Sequence, residues 1–412
     1  MSQPFVLGVN YWPRRKAMYW WSNFDADEVR QEFALIASLG MNVVRLFLLW
    51  DDWQPTPDHV SAERLRDFET VCDCAVEHGL TLDVTFFTGH MSGPNWSPRW
   101  LLAPAHAPLP SSEARQVISQ GQIVDLAYRN MFHDEQAIEA ARLLLKTVVT
   151  TFKDHDAIWM WNLGNEPDLF AHPHTAEAGR AWVQEMVAVI RDIDPAHDIT
   201  CGLHVANLTA DNGLRVDKVF GETDVAVMHG YPMYIDWARH NLDPDFMPFL
   251  CALTTALCGK PTLAEEWGGC TAPDGGESTV WEWVSYQAQP RTQFMASEQA
   301  LADYIEATLP KLLEVGSTGS VFWCFADYAK ELWDKPPCDP HGATHERHFG
   351  LVRPDGSLKP HAEVIRKFAA TRPTVQAATR TVTLDITPDE FYENPSAHAA
   401  RLYKDYIDRY ES

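Results

Sequence analysis

Short apolar runs alternate with amphipathic stretches along most of the chain. Residues 5–12 form a first apolar run, and Val29, Phe33, Ile36 and Leu39 follow at near-helical spacing after Asp25. The run 42–50 is continuous and β-branched at its start, which predicts a strand buried on both faces. A helical pattern over 62–78 then stops at Gly79. The same unit recurs. Strands are predicted at 80–87, 158–167, 199–204, 225–231, 261–266 and 320–325, and helices at 134–153, 175–193, 246–258, 297–315 and 360–368.

Eight strand-then-helix units with continuous apolar strands predict an α/β fold, a closed (β/α)8 TIM barrel over residues 1–370. A doubly wound sheet is the weaker alternative, because no G-x-G-x-x-G follows the first strand. Long stretches follow strands three (91–133), seven (270–294) and eight (326–358), all at the carboxyl-end face where such barrels keep their sites. They are expected to be irregular and to wall in a pocket that takes a chain end. After residue 370 the pattern changes to an alternation over 381–386, then Leu402, Tyr403, Tyr406, Ile407 and Tyr410 on one helical face. Residues 371–412 are therefore expected to add one strand and one helix, packed on the barrel or on a neighbouring subunit of a homo-oligomer.

Composition narrows the partners. With a net charge of −24 over 412 residues, the chain lacks the basic clusters that nucleic acid demands. No apolar run reaches membrane-spanning length, and the start MSQPFVLGVNYW has no basic segment followed by a long apolar one, so neither a membrane nor an export signal is expected and the location is read as cytoplasmic. The 8 scattered cysteines read as buried thiols, and the 16 tryptophans suit flat sugar faces or large cores equally well.

The chemistry sits at two strand ends. IWMWNLGNEP stops on Asn165 and Glu166, and PTLAEEWGG stops on Glu265 and Glu266. Two carboxyls delivered from separate strands are what a retaining glycosidase requires, one to protonate the leaving oxygen and one to attack the anomeric carbon. The N-E-P and E-W-G motifs resemble those of the clan A glycoside hydrolases, most closely family 5. By that resemblance, which covers residues 5–369, Glu166 is the acid/base and Glu266, directly before the aromatic-Gly pair, the nucleophile. Glu265 is then expected to point away from the pocket, since neighbouring strand residues face opposite sides.

Retaining chemistry also asks for a neutral Glu166 and a charged Glu266 at rest. Arg45, costly inside an apolar strand, is expected beneath Glu266. His229 and Tyr231 share one face of strand six at period two, where Tyr231 would hold Glu266. The resemblance further implies that Asn165 meets the sugar 2-hydroxyl, that His90 contacts the sugar, that Trp323 forms the platform beneath it, and that no cofactor or metal is needed. Trp267 is read as support for its strand. Cys338, His341, His345 and His348 have the types and spacing of a structural zinc site and form a rival constellation.

The leading expectation is a retaining, exo-acting glycosidase for β-mannosides or other short β-linked oligosaccharides, β-mannose being suggested by similarity of the first segment and the C-terminal appendage to lesser-known family 5 branches. Alternatives are an endo-acting mannanase or glucanase, a transglycosylase, and a sugar-binding barrel without turnover.

Overall fold

A computed structural model of the chain describes residues 3–103, 115–285 and 288–411. Part of the long stretch after the third predicted strand, 104–114, thus lies outside the described residues. The apolar runs pair as eight parallel strands: β1 (Val6–Asn10), β2 (Val43–Leu49), β3 (Thr81–Thr88), β4 (Ile158–Asn165), β5 (Asp198–Gly202), β6 (Ala226–His229), β7 (Thr262–Gly268) and β8 (Gly319–Trp323). Their order is β5-β4-β3-β2-β1-β8-β7-β6. Between β6 and β5 the ring closes where the amide of His229 donates to Leu203 O at 2.9 Å and Val205 N to His229 O at 3.0 Å. Strands covered on both faces need apolar side chains throughout, and β2 is buried at every position.

Helices lie between the strands: α1 (Ala26–Ser38), α2 (Ala62–Glu77), α3 (Glu135–Phe152), α4 (Ala176–Arg191), α5 (Val216–Glu222), α6 (Phe246–Cys258), α7 (Glu298–Glu314) and α8 (Pro360–Ala370). Local chemistry fixes where several begin. Asp25, Ser61, Asp134, Thr175 and Ser297 each accept a hydrogen bond from a backbone amide in the first turn, satisfying donors that the helix itself cannot. At the end of α6, Gly259 takes the left-handed conformation that closes a helix cheaply. All eight cysteines are free thiols, seven buried and Cys258 partly so. Among the described residues, no helix is long and apolar enough to cross a membrane.

Three expectations are corrected. The stretch after β3 is not wholly irregular: Asn95–Trp96, Val117–Ser119 and Gln122–Val124 pair as a small three-stranded sheet. The stretch after β7 is not irregular: Thr279–Val284 and Pro290–Met295 pair as an antiparallel hairpin. Conversely, residues 381–386 form no strand. Val382, Leu384 and Ile386 do pack against the core, so the alternation reports one covered face without a ladder.

The chain ends in α9 (Pro388–Glu393) and α10 (Pro395–Tyr410). Thr387 and Glu390 form a capping box on α9. Both helices pack on this chain's own barrel. The Tyr392 hydroxyl donates to Asn207 O at 2.7 Å. Tyr403 lies 4.9 Å from the Phe249 ring and donates its hydroxyl to Asp243, a fully buried carboxylate that also receives Arg239. Leaving such a group short of a donor costs about 1–3 kcal/mol. Tyr403→Phe is therefore expected to lower unfolding free energy by about that amount, read by urea denaturation; an unchanged midpoint would mean that Asp243 finds another donor.

Candidate active site

Backbone strain aims the first carboxyl. Glu166 follows the last residue of β4 in the left-handed conformation, φ 46°, and opens the short helical turn Pro167–Phe170. Its amide donates to Gly202 O at 2.9 Å on the neighbouring strand. A non-glycine residue keeps such a conformation only where its surroundings impose it.

The second carboxyl is aimed by a bulge. Pairing of β7 with β6 steps from Ala264–Met228 to Glu266–His229, and its pairing with β8 steps from Ala264–Ser320 to Trp267–Phe322. One extra residue in this strand breaks the alternation of faces. Glu265 therefore does not turn toward the helices, as strict alternation predicts. It is fully buried inside the barrel, accepting from Asn162 Nδ2 at 3.0 Å and lying 2.8 Å from His229 Nε2. Glu266 sits above it at the mouth. The Tyr231 hydroxyl donates to its Oε1 at 2.9 Å and Arg45 Nη1 to its Oε2 at 3.1 Å.

Arg45 has no access to water. Its Nη1 also donates to Asn10 Oδ1 at 3.0 Å, its Nη2 to Asn165 Oδ1 at 3.0 Å, and its Nε to Thr85 Oγ1 at 3.1 Å. Glu265 lies 3.5 Å from Nη2 and Asp83 3.8 Å from Nε. Burial opposes the guanidinium charge, but Glu265, Asp83 and Glu266 raise its pKa nonetheless.

His229 joins the two carboxyl levels, with Nδ1 3.0 Å from Glu166 Oε1 and Nε2 facing Glu265. A carboxylate at each nitrogen favours the doubly protonated ring. Burial works against that charge, and Glu266 together with the hydrogen bonds to Glu166 and Glu265 outweighs it.

A second histidine escaped the sequence reading. His204, just beyond β5, has Nε2 2.9 Å from Asp168 Oδ2 and Nδ1 3.7 Å from Glu166. Burial resists its protonation, yet Asp168 and then Glu166 raise its pKa to about 9. Asn212 Nδ2 donates to the same Asp168 oxygen at 2.8 Å. The available signal was an Asp two residues past Glu166 and a His at a strand end.

These cations act unequally on the two carboxyls. Burial would raise the Glu166 carboxyl, but His204 and the hydrogen bond from His229 hold it well below the usual range. Burial and the charge of Glu166 push Glu266 up, against His229, Arg45 and Tyr231. The surroundings thus favour the charged form of Glu166 and the neutral form of Glu266 in a pair that titrates together. His204 and His229 flank Glu166, whereas Arg45 is shared by three carboxylates.

Oxygens of Glu166 and Glu266 and a nitrogen of His229 all lie within 4.8 Å of one another. They face a cavity of about 580 Å³ lined also by His90, Asn165 and Trp323, a volume in the range of small-molecule sites. His90 is nearly buried, with Nδ1 2.9 Å from Asn95 Oδ1. Burial first, then Arg115, lowers its pKa to about 4, leaving it neutral. The Asn165 amide donates to His90 O at 3.2 Å. Residues 91–93, Tyr234 with Ile235, and Ala343, His345, Glu346 and Phe349 form further walls. The hairpin backs the last of these, Trp281 lying 5.6 Å from the His348 ring and Trp283 5.4 Å from that of His345. Trp267, buried behind β7, donates to Ser320 Oγ at 2.9 Å.

The rival zinc constellation is not assembled. His345 Nε2 lies 3.0 Å from the Tyr234 hydroxyl, His341 Nδ1 faces Val284 O at 3.1 Å, and His348 approaches Asp327. Among the described residues, Cys338 and these histidines do not converge within ligating distance.

The chain matches the model of the cellulase family, glycosyl hydrolase family 5, over residues 6–296. It is 26% identical over 301 residues to a mannan endo-1,4-beta-mannosidase, number 8, of Oryza sativa subsp. japonica, covering 65% of this chain and 76% of the relative. The structure resembles the exo-beta-1,4-mannosidase Op5Man5 from Opitutaceae bacterium strain TAV5, with 25% identity and a TM-score of 0.70 over 90% of this chain and 60% of that one. It also shares its fold with a GH5_18 protein from Streptomyces cattleya, solved in complex with GlcNAc, at 21% identity and a TM-score of 0.78 over 99% of this chain and 91% of that one. The chain spans between 36% and 76% of the length of the rice mannan endo-1,4-beta-mannosidases it matches. With the family model covering most of the barrel and the two carboxyl-bearing strand ends inside the match, this chain belongs to glycosyl hydrolase family 5.

Proposed function

We propose that the chain is a retaining β-glycosidase that removes a terminal β-mannosyl unit from short oligosaccharides. The observation that carries this reading is the pair of carboxyl oxygens, Glu166 and Glu266, within 4.8 Å of each other at one cavity. Carboxyls about 5 Å apart leave no room for a water between nucleophile and sugar, so the second must attack directly.

In the first step Glu166 gives its proton to the glycosidic oxygen as the bond to the anomeric carbon breaks. Glu266, its charge held by Arg45 and the Tyr231 hydroxyl, forms an ester with that carbon. In the second step Glu166 takes a proton from water, the hydroxide oxygen bonds to the anomeric carbon, and the Glu266 carboxylate leaves. A pair carrying one proton serves both roles, provided that the proton sits on Glu166 when the bond breaks. Asn165, His90 and Trp323 line the same cavity and are assigned to the sugar, Trp323 as its platform.

Chain-end action is supported by the walls on several sides of the cavity, and mannose by the names of the relatives. Those rice relatives also favour a second reading, cleavage within mannan. Chromatography of products from mannohexaose separates the two: mannose released from the start supports the first, a ladder of intermediate oligosaccharides the second.

On an aryl β-mannoside, Glu266→Ala is expected to abolish turnover and Glu166→Ala to lower it by at least about a hundredfold, the scale of lost general acid catalysis. Either variant at wild-type rate would sink the assignment. The pH profile of kcat/KM is expected to be bell-shaped, its alkaline limb marking loss of the proton shared by the carboxyl pair. His204 carries a charge that depresses Glu166. Removing it in His204→Gln raises the Glu166 pKa, so the pair keeps its proton to higher pH and the alkaline limb moves up. A limb that stays in place or moves down would show that His204 does not control this proton.

A further inference from the structure

The C-terminal helices lie outside the site, yet a line of buried hydrogen bonds runs from them to Glu166. Among the described residues, none beyond Phe349 lines the cavity. The connection passes through residues 203–215, the loop between β5 and α5. One side of this loop meets the cavity at His204, Val205, Ala206 and Asn212, and the other side carries the appendage. Buried Tyr392 of α9 fastens it. Its hydroxyl donates to Asn207 O at 2.7 Å and accepts from Val216 N at 3.0 Å, so one group ties together the two ends of the loop. The Arg215 guanidinium stands 4.3 Å from the centre of the same ring and donates to Asp389 Oδ1 at 2.8 Å.

Asn207 is fully buried and passes the contact inward. Its Oδ1 accepts from His204 N at 2.8 Å, and its Nδ2 donates to Asn212 Oδ1 and Leu214 O, each at 3.1 Å. Asn212 Nδ2 in turn donates to Asp168 Oδ2 at 2.8 Å, the oxygen that faces His204 Nε2 at 2.9 Å. His204 is therefore held twice, at its backbone by Asn207 and at its ring by Asp168. That leaves Nδ1 turned to Glu166 at 3.7 Å, a separation at which the coupling is one of charge and distance more than of a hydrogen bond.

We propose that Tyr392 is a positioning residue for the acid/base, one that fixes, through Asn207, where the His204 ring stands relative to Glu166. This rests on the reading of Glu166 as acid/base; the hydrogen-bonded path does not. Without the hydroxyl, Asn207 O and Val216 N lose this partner inside the protein, and the loop must shift to satisfy them. A looser His204 draws less on Asp168 and Glu166, so its own pKa falls and that of Glu166 rises. Other groups also face this pair. Arg115 and His90, from the loop after β3, face His204, and His172 faces Asp168. Glu166 is faced further by His229, Tyr231, Arg45, Glu266 and Glu346. These sit on other strands and loops, whereas the loop under the appendage carries His204 and holds Asp168.

The test uses the full chain. Tyr392→Phe keeps the ring over Arg215 and removes the hydroxyl alone. On an aryl β-mannoside, the alkaline limb of kcat/KM is expected to move up by about half a pH unit, the direction given by loss of the His204 charge. In the His204→Gln background the same change should add nothing, because residues acting through one group are not additive. Tyr403→Phe, which loosens the same appendage away from this loop, should leave the limb in place. A limb that stays or moves down in Tyr392→Phe, an equal shift with and without His204, or an equal shift in Tyr403→Phe would each overturn the inference. Should the wild type cleave no glycoside, the acid/base reading fails first, and titration of His204 itself then decides the role of Tyr392. Its ring proton, followed by NMR and assigned by its absence in His204→Gln, is expected to titrate at lower pH in Tyr392→Phe than in the wild type or Tyr403→Phe. One midpoint in all three proteins would show that Tyr392 does not position His204.

Discussion

A guanidinium that no water reaches must be neutralised where it sits, and Arg45 meets that demand by drawing on four other strands at once. Asn10 comes from β1, Thr85 and Asp83 from β3, Asn165 from β4, and Glu265 with Glu266 from β7. Such a cluster adds little net stability, because desolvation consumes most of the Coulombic gain. Its effect is positional. Each partner lost would leave a buried charge uncompensated, so the strand ends are held in one mutual arrangement, and the residues of the site inherit it.

The second layer of order is the unequal sharing of positive charge. Glu265 occupies much of the field of Arg45 and one nitrogen of His229, leaving Glu266 with a part of each. Glu166 has His229 and His204 on two sides, and Asp168 keeps His204 charged. The two carboxyls therefore feel different fields and titrate as one unit. A sugar entering the cavity displaces water from both carboxyls, and it is in that bound state that the proton must sit on Glu166.

Much of this was legible in the sequence because it depends on local pattern. Continuous apolar strands separated by capped helices specify the barrel, and a polar residue at a strand end can face only the mouth. Arg45 was readable for the opposite reason, as a charge that an apolar strand cannot hold alone. What escaped depends on neighbours distant in sequence. The direction of Glu265 is set by how β7 pairs with β6 and β8, and nothing within LAEEWG announces a bulge. The hairpin after β7 does carry alternation in TVWEWV, but a pairing partner had to be found across the turn. Residues 381–386 carry the same alternation with no partner, since a closed barrel offers no free edge. His204, Asp168 and Glu346 are ordinary polar residues until the fold brings them to one cavity.

The bulge in β7 also bears on how this chemistry can change. Strand side chains alternate, so the face on which a residue lands is a matter of parity, and here a single extra residue resets the count between Ala264 and Trp267. Deleting one position would restore a regular ladder and leave one glutamate where the barrel now holds two, removing either the partner of His229 or the group at the mouth. Point substitution, which preserves the count, can tune each carboxyl separately. Variation at this strand is thereby channelled: residues can be exchanged one at a time, while insertions and deletions are barred by arithmetic before any question of chemistry arises.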